Sequence, residues 1–253
     1  MGLTTLLPFL SKAQSAFERG SYINKHDTLP YRILFPVDFD AAKKYPLILV
    51  LHGAGERGND NEAQLKYGPK LFLNDTIRDK YPAIVVFPQC SKDPDYWSNV
   101  KILKDSLGKQ VFQFQQGGEP TTAMKGLLGL LDQLLDKPYV VKHRVYVGGL
   151  SMGGMGTFEL LRRRPDVFAA AFPICGGDNS LSAKIYAKKV PLWIFHGAKD
   201  NVVPADHSII MVSAIKAAGG NPKFTLYPND GHNCWDDAFA EPELMPWLFS
   251  HKK

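Results

Sequence analysis

Among the residues able to do covalent chemistry, Ser151 has the most telling surroundings. It lies in Gly149-Leu150-Ser151-Met152-Gly153, inside a run that holds five glycines between Gly148 and Gly156. Glycines this dense mark tight turns or close backbone approach. Phosphate could be the reason, but the spacing rejects it. A dinucleotide fingerprint finds no register, because Leu150, Ser151 and Glu159 stand where glycines are needed. A phosphate loop of the Walker type needs Gly-Lys after four residues, and Gly154 or Met155 stands where the lysine belongs. What fits is G-x-S-x-G, directly after an apolar strand-like run and at the start of a helical pattern. That context is the one in which a serine is presented on a strained turn as a nucleophile.

A serine hydroxyl is a weak nucleophile. It needs a base, and the base needs an orienting acid, in the chain order serine, acid, histidine. After Ser151 come His196, His207, His232 and His251. His232, in the polar "NDGHNCW" turn after the last strand-like run, is the expected base. His196 ends a strand-like run and is expected beneath the site, His207 on a helix and His251 in the tail. Asp178, Asp200, Asp206, Asp230 and Asp236 compete for the acid. Asp200, in "FHGAKDNVVP", is placed best. Asp206 reads as a helix N-cap, and Asp230 is too near His232 in sequence to lie across its ring. An oxyanion needs two backbone N–H donors. Met152, after the serine, supplies one. "LHGAGERGN" supplies the other, from Ala54 or alternatively Gly53, with His52 orienting that loop. Glu56 and Arg57 either pair to brace it or are solvated. Trp97 and Trp235 are candidates for the pocket wall, or else ordinary core.

The elements that must position these residues are legible as alternating patterns. Apolar runs at 31–37, 45–53, 82–89, 143–150, 190–197 and 223–228 read as strands, with 169–174 a weaker candidate. Runs without polar alternation are expected of strands covered on both faces. Between them, Met124, Leu127, Leu128, Leu131, Leu134 and Leu135 follow helical spacing, started by Thr121 or Thr122 and stopped by Pro138. Further helices are expected at 152–164, 206–218 and 242–250. The sum is an α/β fold with a mostly parallel central sheet and helices on both faces. Ligands of such sheets bind beyond the carboxyl ends of the strands. His52, Ser151, His196 with Asp200, and His232 all fall there. Residues 89–120 show no clear period and read as a long binding loop.

Composition excludes rather than selects. The 253 residues suit one α/β domain, expected over 17–253. With 45% apolar and 22% charged residues the chain is ordinary for a globular protein. A net charge of +5, with no basic run longer than Arg162-Arg163-Arg164, gives no nucleic-acid stripe. Cys90, Cys175 and Cys234 show no metal-binding spacing and read as reduced, mostly buried thiols, a Cys90–Cys234 bridge being the alternative. No metal is expected. "LTTLLPFLSKAQSAF" resembles the end of a secretory signal cleaved after Ala13 or Ala16, or else a first helix over residues 1–16. The first reading implies a secreted or periplasmic protein, the second leaves a cytoplasmic one open. The apolar run at 3–10 is too short for a membrane span, which takes about 20 residues.

Together "LHGAGERG", "VFPQC", "GGLSMGG", "FHGAKDNVVP" and "GHNCWDDAF" resemble the small α/β-hydrolase esterases of the phospholipase/carboxylesterase and feruloyl-esterase-like type, often described as predicted peptidases. The resemblance runs from about residue 30 to 250. It implies a Ser151–Asp200–His232 triad, an acyl-enzyme and no metal or organic cofactor. It does not identify the acyl group; a small or polymer-borne ester is the expected partner, feruloyl and acetyl esters of plant cell-wall carbohydrate being among the candidates. There is no room for a large lid or propeller domain. A monomer or small homo-oligomer is expected. A serine peptidase of the same fold, or a binding module without activity, are the rival readings.

Overall fold

Seven consecutive buried residues, Tyr45–Leu51, show how the molecule is layered. Leu47, Leu49 and Leu51 join one apolar cluster, while Ile48 and Val50 join another. A strand alternates its side chains between two faces, so a strand buried along its whole length has a core on each side. The computed structural model describes residues 16–24, 28–92 and 96–253. The expected leader remnant or first helix falls almost wholly on residues 1–15, outside the described residues.

The strands, numbered in chain order, are β1 (Glu18–Ile23), β2 (Thr28–Leu34), β3 (Tyr45–Leu51), β4 (Ile84–Pro88), β5 (Val100–Lys104), β6 (Gln110–Phe114), β7 (Val140–Leu150), β8 (Ala170–Ile174), β9 (Trp193–Gly197) and β10 (Lys223–Tyr227). Among the described residues, eight of them form one sheet in the order β1-β2-β4-β3-β7-β8-β9-β10. Within it β4, β3, β7, β8, β9 and β10 run parallel, and β2 and β1 add antiparallel strands at one edge. The expected mostly parallel α/β-hydrolase sheet is what the chain forms. The register sets Leu51 beside Gly149 and Leu150 beside Ile174, so the ends of β3, β7 and β8 are level where the loops leave the sheet.

The helix Thr122–Leu135 covers one face with Met124, Leu127, Leu130, Leu131 and Leu134, each worth about 1.5–3 kcal/mol when fully buried. Of the two candidate caps, Thr121 is the one used: its Oγ1 accepts the Met124 N–H at 3.1 Å. Leu244, Met245 and Leu248 of the C-terminal helix Leu244–Ser250 cover the other face. Asp206 is not a cap: it is the first residue of the helix Asp206–Ala217, and Ala205 occupies the cap position. Among the described residues, no helix is long and apolar enough to cross a membrane.

Two features escaped the sequence patterns. β1 pairs along the outer edge, where most of its side chains face solvent and give no apolar signal. The stretch expected as a long loop contains a hairpin, with Val100–Lys104 antiparallel to Gln110–Phe114. Its turn is tied by Asp105 Oδ1, which accepts the N–H groups of Leu107 and Lys109 at 2.9 and 2.8 Å. Ile102, Leu103 and Val111 are exposed, which blurs the alternation a strand would show. Phe112 joins Met155 and Val203 in a small third core that fixes the hairpin to the body.

Candidate active site

Ser151 joins β7 to the helix Met152–Arg163 with φ of +55°, the left-handed region that costs a non-glycine residue strain. Its neighbours explain how the turn fits. A Cβ on Gly153 would lie 2.0 Å from Leu51 O, and one on Gly149 would lie 2.5 Å from the same oxygen. Only glycine lets the turn pass so close to the end of β3. Gly154 meets Ile174 O and Gly156 meets Trp97 in the same manner, as expected of helix-packing glycines.

The structure brings the three expected side chains into one line. Ser151 Oγ lies 2.9 Å from His232 Nε2, and His232 Nδ1 lies 2.7 Å from Asp200 Oδ2. A carboxylate only accepts, so Nδ1 carries the hydrogen and Nε2 is left to receive the serine proton. Asp200 Oδ1 accepts the N–H groups of Val202 and Val203, each at 2.9 Å. Burial pushes the Asp200 carboxyl up, but hydrogen bonds from His196, His232 and the backbone outweigh it and hold the group well below the usual carboxylate range. It is therefore an anion, shielded from water, beside an imidazole 18% exposed at its open side.

Of the two expected oxyanion donors, Met152 directly follows the serine and Ala54 lies in the loop that packs on its turn through Gly53. Met152 N–H opens the helix after Ser151, where the helix dipole favours negative charge. Ala54 opens a single 3-10 turn after β3. The adjoining Gly53 packs on the nucleophile turn, its Cβ position 3.7 Å from Ser151 Cβ. Among the described residues, neither N–H finds a hydrogen-bond acceptor. His52 orients this loop, as expected. Its Nε2 accepts the Cys90 N–H at 2.9 Å, so Nδ1 donates to Gly53 O at 2.6 Å. Complete burial lowers its pKa to about 4 and keeps it neutral. Glu56 and Arg57 do not brace the loop through each other. Glu56 is buried with Lys66 at 3.8 Å, and Arg57 caps Ala54 O at 3.1 Å over the Tyr96 ring.

Trp235 lies edge-on to His232, with ring centroids 5.2 Å apart, and on its other side against Tyr67 at 5.1 Å. Trp97 corrects the expectation. It is wholly buried, packs edge-on to His52 and rests against Gly156, so it supports the oxyanion loop from within and forms no pocket wall. All three cysteines are buried, and none is joined in a disulfide among the described residues. The neighbour of Cys234 is Cys175, not Cys90, whose N–H is engaged by His52. Cys175 was not singled out by sequence. It follows β8 with φ of +41°, and its thiol lies with Asp200 and His232 in one cluster of donor atoms within 4.8 Å. His196 lies buried behind Asp200, as expected of a residue beneath the site, and Ser208, which sequence did not single out, stands behind it.

With sheet, turn and line in place, comparison with known proteins has a defined meaning. The profile of the dienelactone hydrolase family matches residues 104–243, more than half of the chain. The chain belongs to the dienelactone hydrolase family. Among solved structures, this dienelactone hydrolase relative resembles a thermostable esterase at 30% identity and TM-score 0.82, covering 94% of this chain and 64% of that one. It is 25% identical over 162 residues to a bifunctional acetylxylan esterase/xylanase of Neocallimastix patriciarum, covering 64% of this chain and 20% of that protein. It is 22% identical over 250 residues to a probable dipeptidyl-peptidase 5 of Aspergillus niger, covering 87% of this chain and 33% of that protein. The chain thus spans a fifth and a third of these two relatives.

Proposed function

We propose that this member of the dienelactone hydrolase family is a serine carboxylic-ester hydrolase that works through an acyl-enzyme. The observation that carries the reading is the continuous line from Ser151 Oγ through His232 to Asp200, with contacts of 2.9 and 2.7 Å, on a turn held at positive φ. As Ser151 attacks an ester carbonyl, His232 Nε2 takes its proton, and Asp200 holds the imidazole in the required tautomer and stabilises its charged form. The Met152 and Ala54 N–H groups receive the developing oxyanion. His232 then protonates the leaving alcohol. Water, deprotonated by the same histidine, cleaves the acyl-enzyme.

The proposed substrate class follows the relatives. A bifunctional acetylxylan esterase/xylanase and a thermostable esterase are among the proteins it resembles. Feruloyl, acetyl or other small esters of plant cell-wall carbohydrate are the substrates proposed. A polymer of that kind is met outside a cell, in keeping with the export expected from residues 1–16. Trp235 is buried in the core behind the base and steadies His232 by its edge-on contact, so it is not the substrate wall expected of it.

The match to a dipeptidyl-peptidase over 87% of this chain favours a second reading, a serine peptidase acting on small peptides. Turnover of aryl, acetyl-sugar and methyl ferulate esters against a peptide p-nitroanilide separates the two. Preference for the esters is expected, and a clear preference for the anilide transfers the assignment to peptidase. Ser151→Ala should abolish turnover with the fold intact by circular dichroism. Turnover that survives would remove Ser151 from the mechanism.

A further inference from the structure

We propose that His196 is a positioning residue that acts through Asp200, a second imidazole on the acid that sets how its carboxylate faces His232. The inference rests on the serine-hydrolase reading and deepens it. His196 Nε2 lies 2.8 Å from Val203 O and 3.3 Å from Asp200 Oδ2. Both oxygens only accept, so Nε2 carries a hydrogen; it is given to Val203 O, and the same N–H edge stands 3.3 Å from Asp200 Oδ2. On the other side of the ring, Nδ1 lies 2.7 Å from Ser208 Oγ, which is 3.0 Å from Gly176 O. The imidazole is fully buried and held at both nitrogens. Ser208 ties it to the helix Asp206–Ala217, and Gly176 ties Ser208 to the loop after β8.

The consequence falls on Asp200. Its Oδ1 is occupied by two backbone N–H groups, and its Oδ2 stands between two imidazoles. The partly positive N–H edge of His196, 3.3 Å from Oδ2, offsets charge on the oxygen that holds the His232 hydrogen and limits rotation of the carboxylate. Removing that donor leaves Oδ2 more negative. A more negative Oδ2 favours the protonated imidazole at position 232, in which Nε2 cannot accept the serine proton. The acid limb of the pH–rate profile therefore moves to higher pH when the donor is lost.

Other titratable groups face this cluster and leave that direction unchanged. Cys175 lies at the end of β8, where burial first and Cys234 next push its thiol up, so it stays neutral. Cys234 neighbours it from the loop that carries His232. On the helix Asp206–Ala217, burial and then His196 lower His207, with Asp206 opposing them.

The test uses the intact chain with p-nitrophenyl acetate as the probe. His196→Leu, close in size and without a donor, should lose about 10- to 100-fold in kcat with little change in KM, the pattern of a misplaced catalytic group. Its acid limb should move to higher pH, as a less compensated carboxylate requires. His196→Gln, which can return an N–H near the Nε2 position, should recover part of both. The downfield proton resonance of the His232 Nδ1–H···Asp200 bond should move in His196→Leu, and this readout needs no turnover. A folded His196→Leu with wild-type kcat, acid limb and downfield proton overturns the proposal. Should that variant not fold, Ser208→Ala takes its place: a smaller shift in the same direction supports the proposal, and an unmoved profile overturns it. Ser151→Ala run alongside tests the underlying reading separately, since activity surviving there sinks the serine mechanism whatever His196 does.

Discussion

Leu51 O and Gly153 are in contact so close that a methyl group on Gly153 would lie 2.0 Å from the oxygen, with His52 O 2.8 Å away. The end of β3 and the nucleophile turn are thereby locked together, and with them the oxyanion loop and Ser151. Gly153→Ala is expected to force β3 and the turn apart. Both activity and stability should fall, by more than the roughly 1 kcal/mol that a glycine-to-alanine exchange gains in an unstrained helix. Chemical denaturation and ester turnover check this. A Gly153→Ala protein as stable and active as the parent would show that the contact yields.

Asp200 and His232 meet at 2.7 Å through Nδ1. Asp200→Asn keeps the size but can present an N–H where the carboxylate accepted, which favours the wrong imidazole tautomer. A loss of about 10⁴ in kcat is expected, as for the same exchange in serine-protease triads. Steady-state kinetics near neutral pH measures it, and a loss under tenfold would remove Asp200 from the role of acid.

His52 is buried as the neutral ring, with burial lowering its pKa from 6.5 to about 4. The unfolded chain takes up this proton near pH 6.5, while the folded protein resists it. The stabilising contribution is complete above pH 6.5 and is lost as pH falls toward 4, by about 3 kcal/mol over that window. His52→Gln, which keeps an acceptor for the Cys90 N–H but does not titrate, should flatten this part of the stability curve. Urea unfolding at several pH values provides the comparison, and an identical slope in the variant would assign the acid sensitivity elsewhere.

Glu159 is 1% exposed and holds Arg162 at 2.9 Å and Arg163 at 2.7 Å, while its Oε2 accepts the Asn99 N–H at 2.6 Å. It clamps the start of the β5–β6 hairpin to the nucleophile helix. Glu159→Ala leaves buried Arg162 without this carboxylate and should cost about 3–5 kcal/mol. Hydrogen exchange should show the hairpin loosening first, and protection of Val100 to Phe114 equal to that of the parent would deny the clamp.

EDTA dialysis should leave ester turnover unchanged, because the proposed steps need only the side chains of Ser151, His232 and Asp200 and two backbone N–H groups. Loss of activity that zinc restores would direct attention to the Cys175, Asp200 and His232 donors.

By itself the sequence determined the parallel α/β sheet, the turn at Ser151 and the identities of Asp200 and His232 as its partners. These were legible because each rests on local pattern: unbroken apolar runs for doubly covered strands, glycine spacing for the turn, and polar residues just past strand ends. The tertiary structure decided what depends on contacts between distant segments. Trp97 was free to be wall or core until the approach of Gly156 and His52 buried it. The hairpin at 100–114 has little apolar alternation, because its grip comes from Phe112, Glu159 and Arg162, brought together only by the fold. Cys234 meets Cys175 and not Cys90 because β8 and the final loop end side by side. Ser208 and Gly176 reach His196 from two further elements, a convergence that no spacing along one chain records.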